Sequence, residues 1–159
     1  MFEGYDNNPA ATLSQMRNLW FHTGDLGRFD ADGNLFFIDR KKDAIRRRGE
    51  NISSFEVEHS ILQHPDIADI AVHAVSSELG EDDVKACVVL VPGASLGHVE
   101  LMDFCKTRLP FFAMPRYIEF VAELPRNHSG RVLKFQLRER AINDSTWDRE
   151  AAGYLVKSR

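Results

Sequence analysis

The sequence contains only two cysteines, Cys87 and Cys105, and they do not stand in CxxC spacing. A disulfide framework like that of small secreted proteins is therefore not expected, and both thiols are predicted to be buried and reduced. Residues 1–9 contain no basic start followed by an apolar stretch, so no secretory signal is predicted. We therefore expect a cytoplasmic protein.

Other absences exclude whole classes of partner and ligand. No apolar run approaches the roughly 20 residues that a membrane-spanning helix needs. The net charge of −4 provides no general attraction to nucleic acid or to anionic membranes. The histidines are scattered without the spacing of a metal site, so no metal-binding residue is predicted. Those considered are His59, His64, His73 and His98.

The chain instead contains short strands and helices that alternate in the order ββ–α–β–β–α–β–α. This order predicts an α+β fold, a small mixed β-sheet flanked by helices and preceded by a β-hairpin. The predicted elements are a hairpin over 29–38, strands over 67–75, 84–91 and 117–121, and helices over 53–64, 98–109 and 132–142. A composition of 43% hydrophobic and 28% charged residues is typical of a globular protein with a core.

Side-chain patterns predict where these helices begin and which faces they bury. Ser53 followed by Glu56 is a capping box, and Ser129 is predicted to cap the last helix. The helices over 53–64 and 98–109 each end before a proline. The predicted buried faces contain Val57, Ile61 and Leu62 in the first helix, and Val99, Met102, Cys105 and Leu109 in the second.

Three polar segments that contain glycine lie between the regular elements, where binding sites tend to occur. In residues 21–25 Gly24 precedes Asp25, whose carboxylate could accept hydrogen bonds from both hydroxyls of a ribose. Residues 39–49 are rich in arginine, whose guanidinium groups bind phosphate through paired hydrogen bonds. Residues 124–131 are predicted to form a mobile glycine loop that presents a basic residue. Each segment alone is typical of an ordinary surface loop.

Together, the three segments resemble the motifs of the adenylate-forming superfamily, which includes acyl-CoA synthetases, nonribosomal adenylation domains and luciferases. Residues 20–25 (WFHTGD) resemble its ribose motif, residues 39–43 (DRKKD) its hinge motif, and residues 124–131 (LPRNHSGR) its last motif. The resemblance covers about residues 1–142. Within the superfamily, residues 46–58 (RRRGENISSFEVE) and 115–127 (PRYIEFVAELPRN) are most similar in sequence to carnitine/crotonobetaine-type CoA ligases.

The resemblance implies a reaction in two steps. A carboxylate attacks the α-phosphate of ATP to form an acyl adenylate and diphosphate, and the sulfur of coenzyme A then displaces AMP. Between the steps the C-terminal domain would rotate about a hinge. Mg²⁺ would arrive with ATP and be held mainly by its phosphates and by the N-terminal domain.

The resemblance also implies roles for individual residues. Asp25 would hold the ribose hydroxyls, Arg40 would contact the nucleotide near the ribose and phosphate, and Lys42 would be the hinge. Gly49 would line the channel for the pantetheine arm, because the absence of a side chain lets a thin ligand pass.

The coenzyme A site would also include charged residues on both sides of Gly49. Arg46 and Arg48 could meet the phosphates of coenzyme A, and Glu50 lies in the same segment. Arg47 alternates in orientation with its neighbours on a strand, so the three arginines cannot all face one ligand.

The last motif departs from the family pattern. Arg131 aligns with the usual adenylation lysine, and arginine keeps the charge but presents a planar fork rather than a compact ammonium. Lys134, predicted to lie one helical turn away, could substitute. Arg131 and Lys134 are thus the catalytic candidates, and adenylation is either retained in altered form or lost.

The sequence lacks the serine-, threonine- and glycine-rich phosphate loop that the family carries in its large N-terminal domain. We therefore expect residues 1–41 to be the tail of that domain, including the hairpin. Residues 42–142 would be the C-terminal cap domain and 143–159 a polar tail. The N-terminal domain would be the partner that holds the carboxylic acid, and the isolated chain would not turn over.

Two other functions stay open. The chain could be a stand-alone docking domain, or a remnant that forms homo-oligomers through exposed apolar surface. It could also belong to an adenylation domain that loads a carrier protein, although the segment around Gly49 resembles CoA ligases more. The acid itself is not predicted.

Overall fold

The computed structural model describes residues 3–77 and 80–156. The chain divides into two compact units, Met1–Lys42 and Asp43–Arg159. Among the described residues, no helix is both long and apolar enough to cross a membrane.

The described residues of the first unit, 3–42, form one short helix and two antiparallel strand pairs. The helix is α1 (Pro9–Gln15), and the strands are β1 (Met16–Arg17), β2 (Trp20–Phe21), β3 (Asp25–Phe29) and β4 (Leu35–Arg40). The predicted hairpin is confirmed and extends further in both directions. Its turn is closed by the Asp30 carboxylate, which accepts the amides of Asp32 at 3.0 Å and Asn34 at 2.8 Å.

The second unit is built around a four-stranded mixed sheet. Its strands are β7 (Ile67–Ser76), β8 (Asp82–Leu90), β9 (Tyr117–Phe120) and β10 (Trp147–Asp148), in the spatial order β10-β9-β8-β7. The β8–β9 pair is parallel and the other two are antiparallel, which confirms the predicted mixed sheet. A separate hairpin joins β5 (Ile45–Arg47) to β6 (Glu50–Ile52).

In the described part of this unit, three α-helices cover the two faces of the sheet. They are α2 (Ser54–Ile61), α3 (His98–Lys106) and α4 (Lys134–Arg140), with a 3₁₀ turn at Phe111–Ala113. The larger core packs sheet residues such as Val72 and Val88 against α2 and α3. The alternate residues, such as Ala71 and Cys87, pack on the opposite face with Leu124 and with Leu137 of α4. Period-two side-chain alternation thus produces a three-layer unit.

The capping prediction is confirmed for one helix and wrong for another. Ser53 caps α2 and accepts the amide of Glu56 at 3.2 Å. Ser129 does not cap α4, which begins at Lys134 after Leu133. The chain stays extended through a bridge between Arg126 and Val132, so the helix cannot begin where the sequence predicted.

Two predicted core positions are also wrong. Leu62 lies at the C-cap of α2 and is 46% exposed, because the helix ends one turn earlier than predicted. Val99 is 53% exposed, while Leu101 is fully buried in its place. The buried stripe of α3 is therefore rotated toward Leu101, Met102 and Cys105.

The segment after Asn143, for which the sequence predicted no element, packs onto the sheet. It contributes β10, and its Trp147 stacks on His98 at 5.2 Å between ring centroids. A buried ion pair fixes its beginning. Lys85 pairs with Glu119 at 2.6 Å, and the side-chain amide of Asn143 donates to Glu119 at 3.1 Å.

Candidate functional site

In the first unit, the register of the hairpin brings together the two predicted nucleotide-binding residues. Asp25 lies directly opposite Arg40 in the β3–β4 pair. Arg40 Nε is 2.7 Å from Asp25 Oδ1, and the side chains are 37% and 35% exposed. The pair is therefore formed by strand register and remains open to solvent.

The preceding turn holds Asp25 in this position. Gly24 has φ +76, a left-handed conformation that glycine adopts without steric cost. Its carbonyl accepts the Lys41 amide at 2.8 Å, and the Thr23 hydroxyl accepts the Asp25 amide at 3.1 Å. These bonds join the ribose-motif segment to the end of β4, so Asp25 and Arg40 are fixed from both sides.

A cleft of about 410 Å³ opens beside the pair. It is lined by Ser14, Gln15, Arg17, Phe21, His22, Thr23, Gly24, Asp25 and Lys41. The lining combines one carboxylate, two cationic side chains, hydroxyl and amide groups, and the rings of Phe21 and His22. This combination of groups suits a ligand that contains hydroxyls, phosphate and a planar base.

The boundary between the two units falls directly after Lys42, the predicted hinge residue. The next residue, Asp43, is buried and pairs with Arg138 of α4 at 3.1 Å. Lys42 itself is exposed. The second unit is thus anchored from its first residue, which limits where backbone rotation can occur.

In the second unit, Arg48 and Gly49 form the two-residue turn of the β5–β6 hairpin. Their φ angles of +53 and +79 match a type I′ turn, in which both central residues are left-handed. A Cβ built on Gly49 would meet nothing within 4 Å, so space is open beside it. Arginine in this conformation costs on the order of 1 kcal/mol, and surrounding contacts must offset that strain.

The three consecutive arginines of this hairpin point in different directions. Arg46 and Arg48 are exposed, whereas Arg47 is 4% exposed. Arg47 donates to the Met114 carbonyl at 3.0 Å and pairs with Asp83 at 2.9 Å. Burial lowers the pKa of Arg47, and Asp83 opposes that shift. Arg47 is therefore part of the framework, and its neighbours are free to face a ligand.

Contacts from β8 and the preceding loop hold the backbone of the turn. The amide of Arg48 donates to Glu81 at 2.8 Å, and the amide of Arg46 donates to Asp82 at 3.1 Å. The Arg48 guanidinium lies 4.9 Å from the centre of the Phe111 ring, within cation–π range. Glu50 is also exposed and lies opposite Arg47 in the backbone register of the hairpin.

The last motif forms a short loop built on one asparagine. The Asn127 side-chain oxygen accepts the Ser129 amide at 3.1 Å, the Ser129 hydroxyl at 2.8 Å and the Arg131 amide at 2.8 Å. Gly130 completes the turn with φ +79. Arg126 pairs with Asp69 of β7. The loop therefore presents Arg131, which is exposed, from an organised backbone.

The structure separates the two catalytic candidates. Arg131 precedes α4, so Lys134 does not lie one helical turn from it, and that prediction is wrong. Lys134 pairs with Glu58 of α2 at 2.7 Å and donates to the Ser54 hydroxyl at 2.7 Å. No local sequence pattern indicates this bond, because its partners lie on distant segments. Lys134 joins two helices, and Arg131 alone faces solvent.

Residues 56–131 match the family of AMP-binding enzyme C-terminal domains. The chain belongs to the adenylate-forming superfamily. It is 40% identical to the crotonobetaine/carnitine–CoA ligase of Proteus mirabilis (strain HI4320) over 139 residues, which cover 87% of this chain and 27% of that enzyme.

Solved structures of this superfamily agree with the observed fold. ATP-bound MatB from Rhodopseudomonas palustris has a TM-score of 0.79 at 35% identity, covering 88% of this chain and 28% of that one. The o-succinylbenzoate CoA synthetase (MenE) of Bacillus subtilis, in complex with the acyl-adenylate OSB-AMP, has a TM-score of 0.78 at 35% identity. That match covers 86% of this chain and 28% of the synthetase.

The chain therefore corresponds to the C-terminal part of adenylate-forming enzymes of the acyl-CoA ligase type and spans about 27% of the length of the curated relatives it matches. The comparisons favour this origin over a stand-alone docking domain. ATP, AMP or an acyl adenylate is bound in the related structures.

Proposed function

We propose that this chain supplies the C-terminal part of an AMP-forming acid–CoA ligase. The whole enzyme would convert a carboxylate, ATP and coenzyme A into acyl-CoA, AMP and diphosphate. One observation carries the proposal. In a chain of this superfamily, strand register brings Arg40 within 2.7 Å of Asp25, and Asp25 lines an open cleft.

The Asp25–Arg40 pair would hold the nucleotide. A carboxylate can accept hydrogen bonds from both ribose hydroxyls, as acidic residues do in dinucleotide-binding folds. Arg40 would use its remaining donors on the nucleotide near the phosphate, where guanidinium binding is strongest. Because each side chain is more than one-third exposed, both are accessible to an incoming nucleotide.

Arg131 would stabilise the charge that develops as the acid attacks the α-phosphate. Such electrostatic contributions are large when the donor is organised in advance, and the Asn127-centred loop fixes the backbone that carries Arg131. Lys134 forms an ion pair with Glu58, so we do not propose that it takes the place of Arg131. Arg131→Ala should lower the adenylation rate by roughly 10²-fold, as loss of one stabilising donor does elsewhere.

The turn at Arg48-Gly49 would serve the second step. Arg46 and Arg48 would meet the phosphates of coenzyme A, Glu50 would border the site, and the open side of Gly49 would admit the pantetheine arm. Rotation at Lys42 would exchange the Arg131 loop for this turn. Hinges are usually a few residues in loops or at the ends of elements, and Lys42 lies in the turn between β4 and β5.

The remaining parts of the reaction would lie outside this chain. The carboxylic acid would bind in the larger N-terminal domain, and Mg²⁺ would enter with ATP and be held by its phosphates and that domain. Among the described residues, no three potential ligand side chains cluster to hold a metal. We place the enzyme in the cytoplasm, where the buried thiols Cys87 and Cys105 would stay reduced.

A hybrid enzyme tests the proposal. The matching region of the Proteus mirabilis ligase would be replaced by this chain, and diphosphate release and thioester formation measured with crotonobetaine or carnitine. We expect both half-reactions. A hybrid that folds but releases no diphosphate would contradict the proposal. Transfer of the acyl group to a carrier protein and not to coenzyme A would contradict the assignment of coenzyme A as the acceptor.

Matched variants of the hybrid sharpen the site assignment. Asp25→Asn should raise the KM for ATP by roughly tenfold or more, because it removes one charge-assisted acceptor. Asp32→Asn, in the exposed turn of the same hairpin, is the control and should leave that KM unchanged. Equal effects of the two variants would exclude a specific role for Asp25.

A further inference from the structure

A chain of ion pairs connects the Arg48-Gly49 turn to the end of the second unit. Arg47 pairs with one oxygen of Asp83 at 2.9 Å, and Arg116 pairs with the other oxygen at 2.9 Å. Arg116 also reaches both carboxylate oxygens of Asp148, at 3.2 Å and 3.4 Å. Asp83 is therefore shared, and the orientation of one arginine depends on the other.

Asp148 belongs to β10, beyond the region that matches the C-terminal domain family. The strand is held beside Arg116, whose carbonyl accepts the Arg149 amide at 2.9 Å. Glu150 adds a weaker contact, 3.5 Å from Arg116 and 4.0 Å from Arg47, with its side chain 42% exposed. Burial works against the charge on Arg116, but its hydrogen bonds to Asp148 and Asp83 raise its pKa overall.

The turn depends on this support because its own conformation is strained. Arg48 has φ +53 without the conformational freedom of glycine. Arg47, the residue before it, is held by Asp83 and by the carbonyls of Met114 and Phe112. Without Asp148, Arg116 would depend more on Asp83, and Asp83 could turn away from Arg47. The hairpin would then lose the ion pair between Arg47 and Asp83 next to the strained Arg48.

We infer that Asp148 is a positioning residue for the Arg48-Gly49 turn, acting through Arg116, Asp83 and Arg47. The polar segment after Asn143 then contributes to the thioester-forming step, because it contains the residue that positions the turn. The activity part of this inference rests on the proposed function, whereas the structural part does not.

Hydrogen exchange on this chain tests the structural part directly. Asp148→Asn removes the charge but keeps the oxygen that accepts the Glu150 amide at 2.8 Å. We expect the amides of Arg46 and Arg48 to exchange on the order of tenfold faster. The Val72 amide, bonded to Glu58 at 2.7 Å, is the internal reference and should not change.

Asp144→Asn is the matched control, an exposed aspartate on the same segment. Asp148→Glu keeps the charge and should restore most of the protection. Equal exchange at Arg48 in Asp148→Asn and Asp144→Asn would overturn the inference. Equal acceleration at Val72 would also overturn it, because the effect would then be global.

The hybrid ligase tests the functional part. Asp148→Asn should raise the KM for coenzyme A severalfold and leave diphosphate release unchanged, a split that general destabilisation would not produce. An unchanged KM for coenzyme A would overturn the role in the thioester step. A hybrid without any diphosphate release would instead refute the proposed function, and the exchange result would still decide whether Asp148 positions the turn.

Discussion

The two candidate-site loops of the second unit each present an exposed arginine, and they are supported in different ways. The turn at Arg48-Gly49 is held by carboxylates from residues 81–83 and by the buried Arg47. The loop at 126–131 is held largely by Asn127 within it. A locally supported loop keeps its shape when the rest of the unit changes, whereas the turn depends on distant segments.

Arg47→Ala should cause the largest loss of unfolding free energy. It removes the buried anchor of the Arg48-Gly49 turn and leaves the 126–131 loop intact. Removing one partner of a buried ion pair costs about 3–5 kcal/mol, and the lower end is expected since Asp83 keeps Arg116. Urea denaturation measures the loss of unfolding free energy. Arg46→Ala, at the exposed neighbouring position, should change it by less than about 0.5 kcal/mol. Similar losses for both variants would contradict the distinction.

Acid should weaken the sheet face that carries the loop. Burial lowers the pKa of His73 from 6.5 to about 4, and His73 lies 3.8 Å from the Cys87 sulfur on that face. A base whose pKa is lowered by folding favours the folded state above its unfolded pKa. This stabilisation is lost as pH falls from 6.5 toward about 4, by roughly 1.4 kcal/mol per pH unit.

The pH dependence can be assigned with a substitution. Unfolding free energies measured between pH 7 and pH 4 should fall for the parent chain, and His73→Gln should flatten that slope. His98, whose pKa burial also lowers, would leave a smaller residual slope. An unchanged slope in His73→Gln would show that His73 is not responsible.

Asn127→Ala should disturb the loop and leave the turn intact. It removes one acceptor of three hydrogen bonds, but the loop is exposed, so a loss of about 1 kcal/mol is expected. Amide exchange should accelerate at Ser129 and Arg131 and stay constant at Arg48. Ser129→Ala, which removes only one of these donors, is the graded control. Acceleration at Arg48 would mean that the two loops are coupled.

Arg131→Lys should have the smallest effect on stability, within about 0.5 kcal/mol, because the side chain is exposed. Thermal unfolding of the parent and the variant provides the measurement. A larger loss would show that Arg131 is a structural residue and would weaken its proposed role in adenylation.

Local patterns predicted several features of this fold correctly. The Ser53 cap, the hairpin and the long strands depend on neighbouring residues and on side-chain alternation. The start of α4 was wrong, because the bridge between Arg126 and Val132 keeps the chain extended there. The partner of Lys134 could not be predicted, because α2 and α4 lie on opposite faces of the sheet and Lys134 reaches Glu58 only beside the edge strand β7.

The sequence alone determined the family motifs, the Ser53 cap of α2, and the alternation by which three consecutive arginines cannot all face one ligand. These properties follow from residue type and from the period of a strand. Only the tertiary structure decided that Lys134 is bound to Glu58 and that Asp148 connects to Arg47 through Asp83. Ion pairs between distant segments require a specific packing of elements, and no local pattern encodes it.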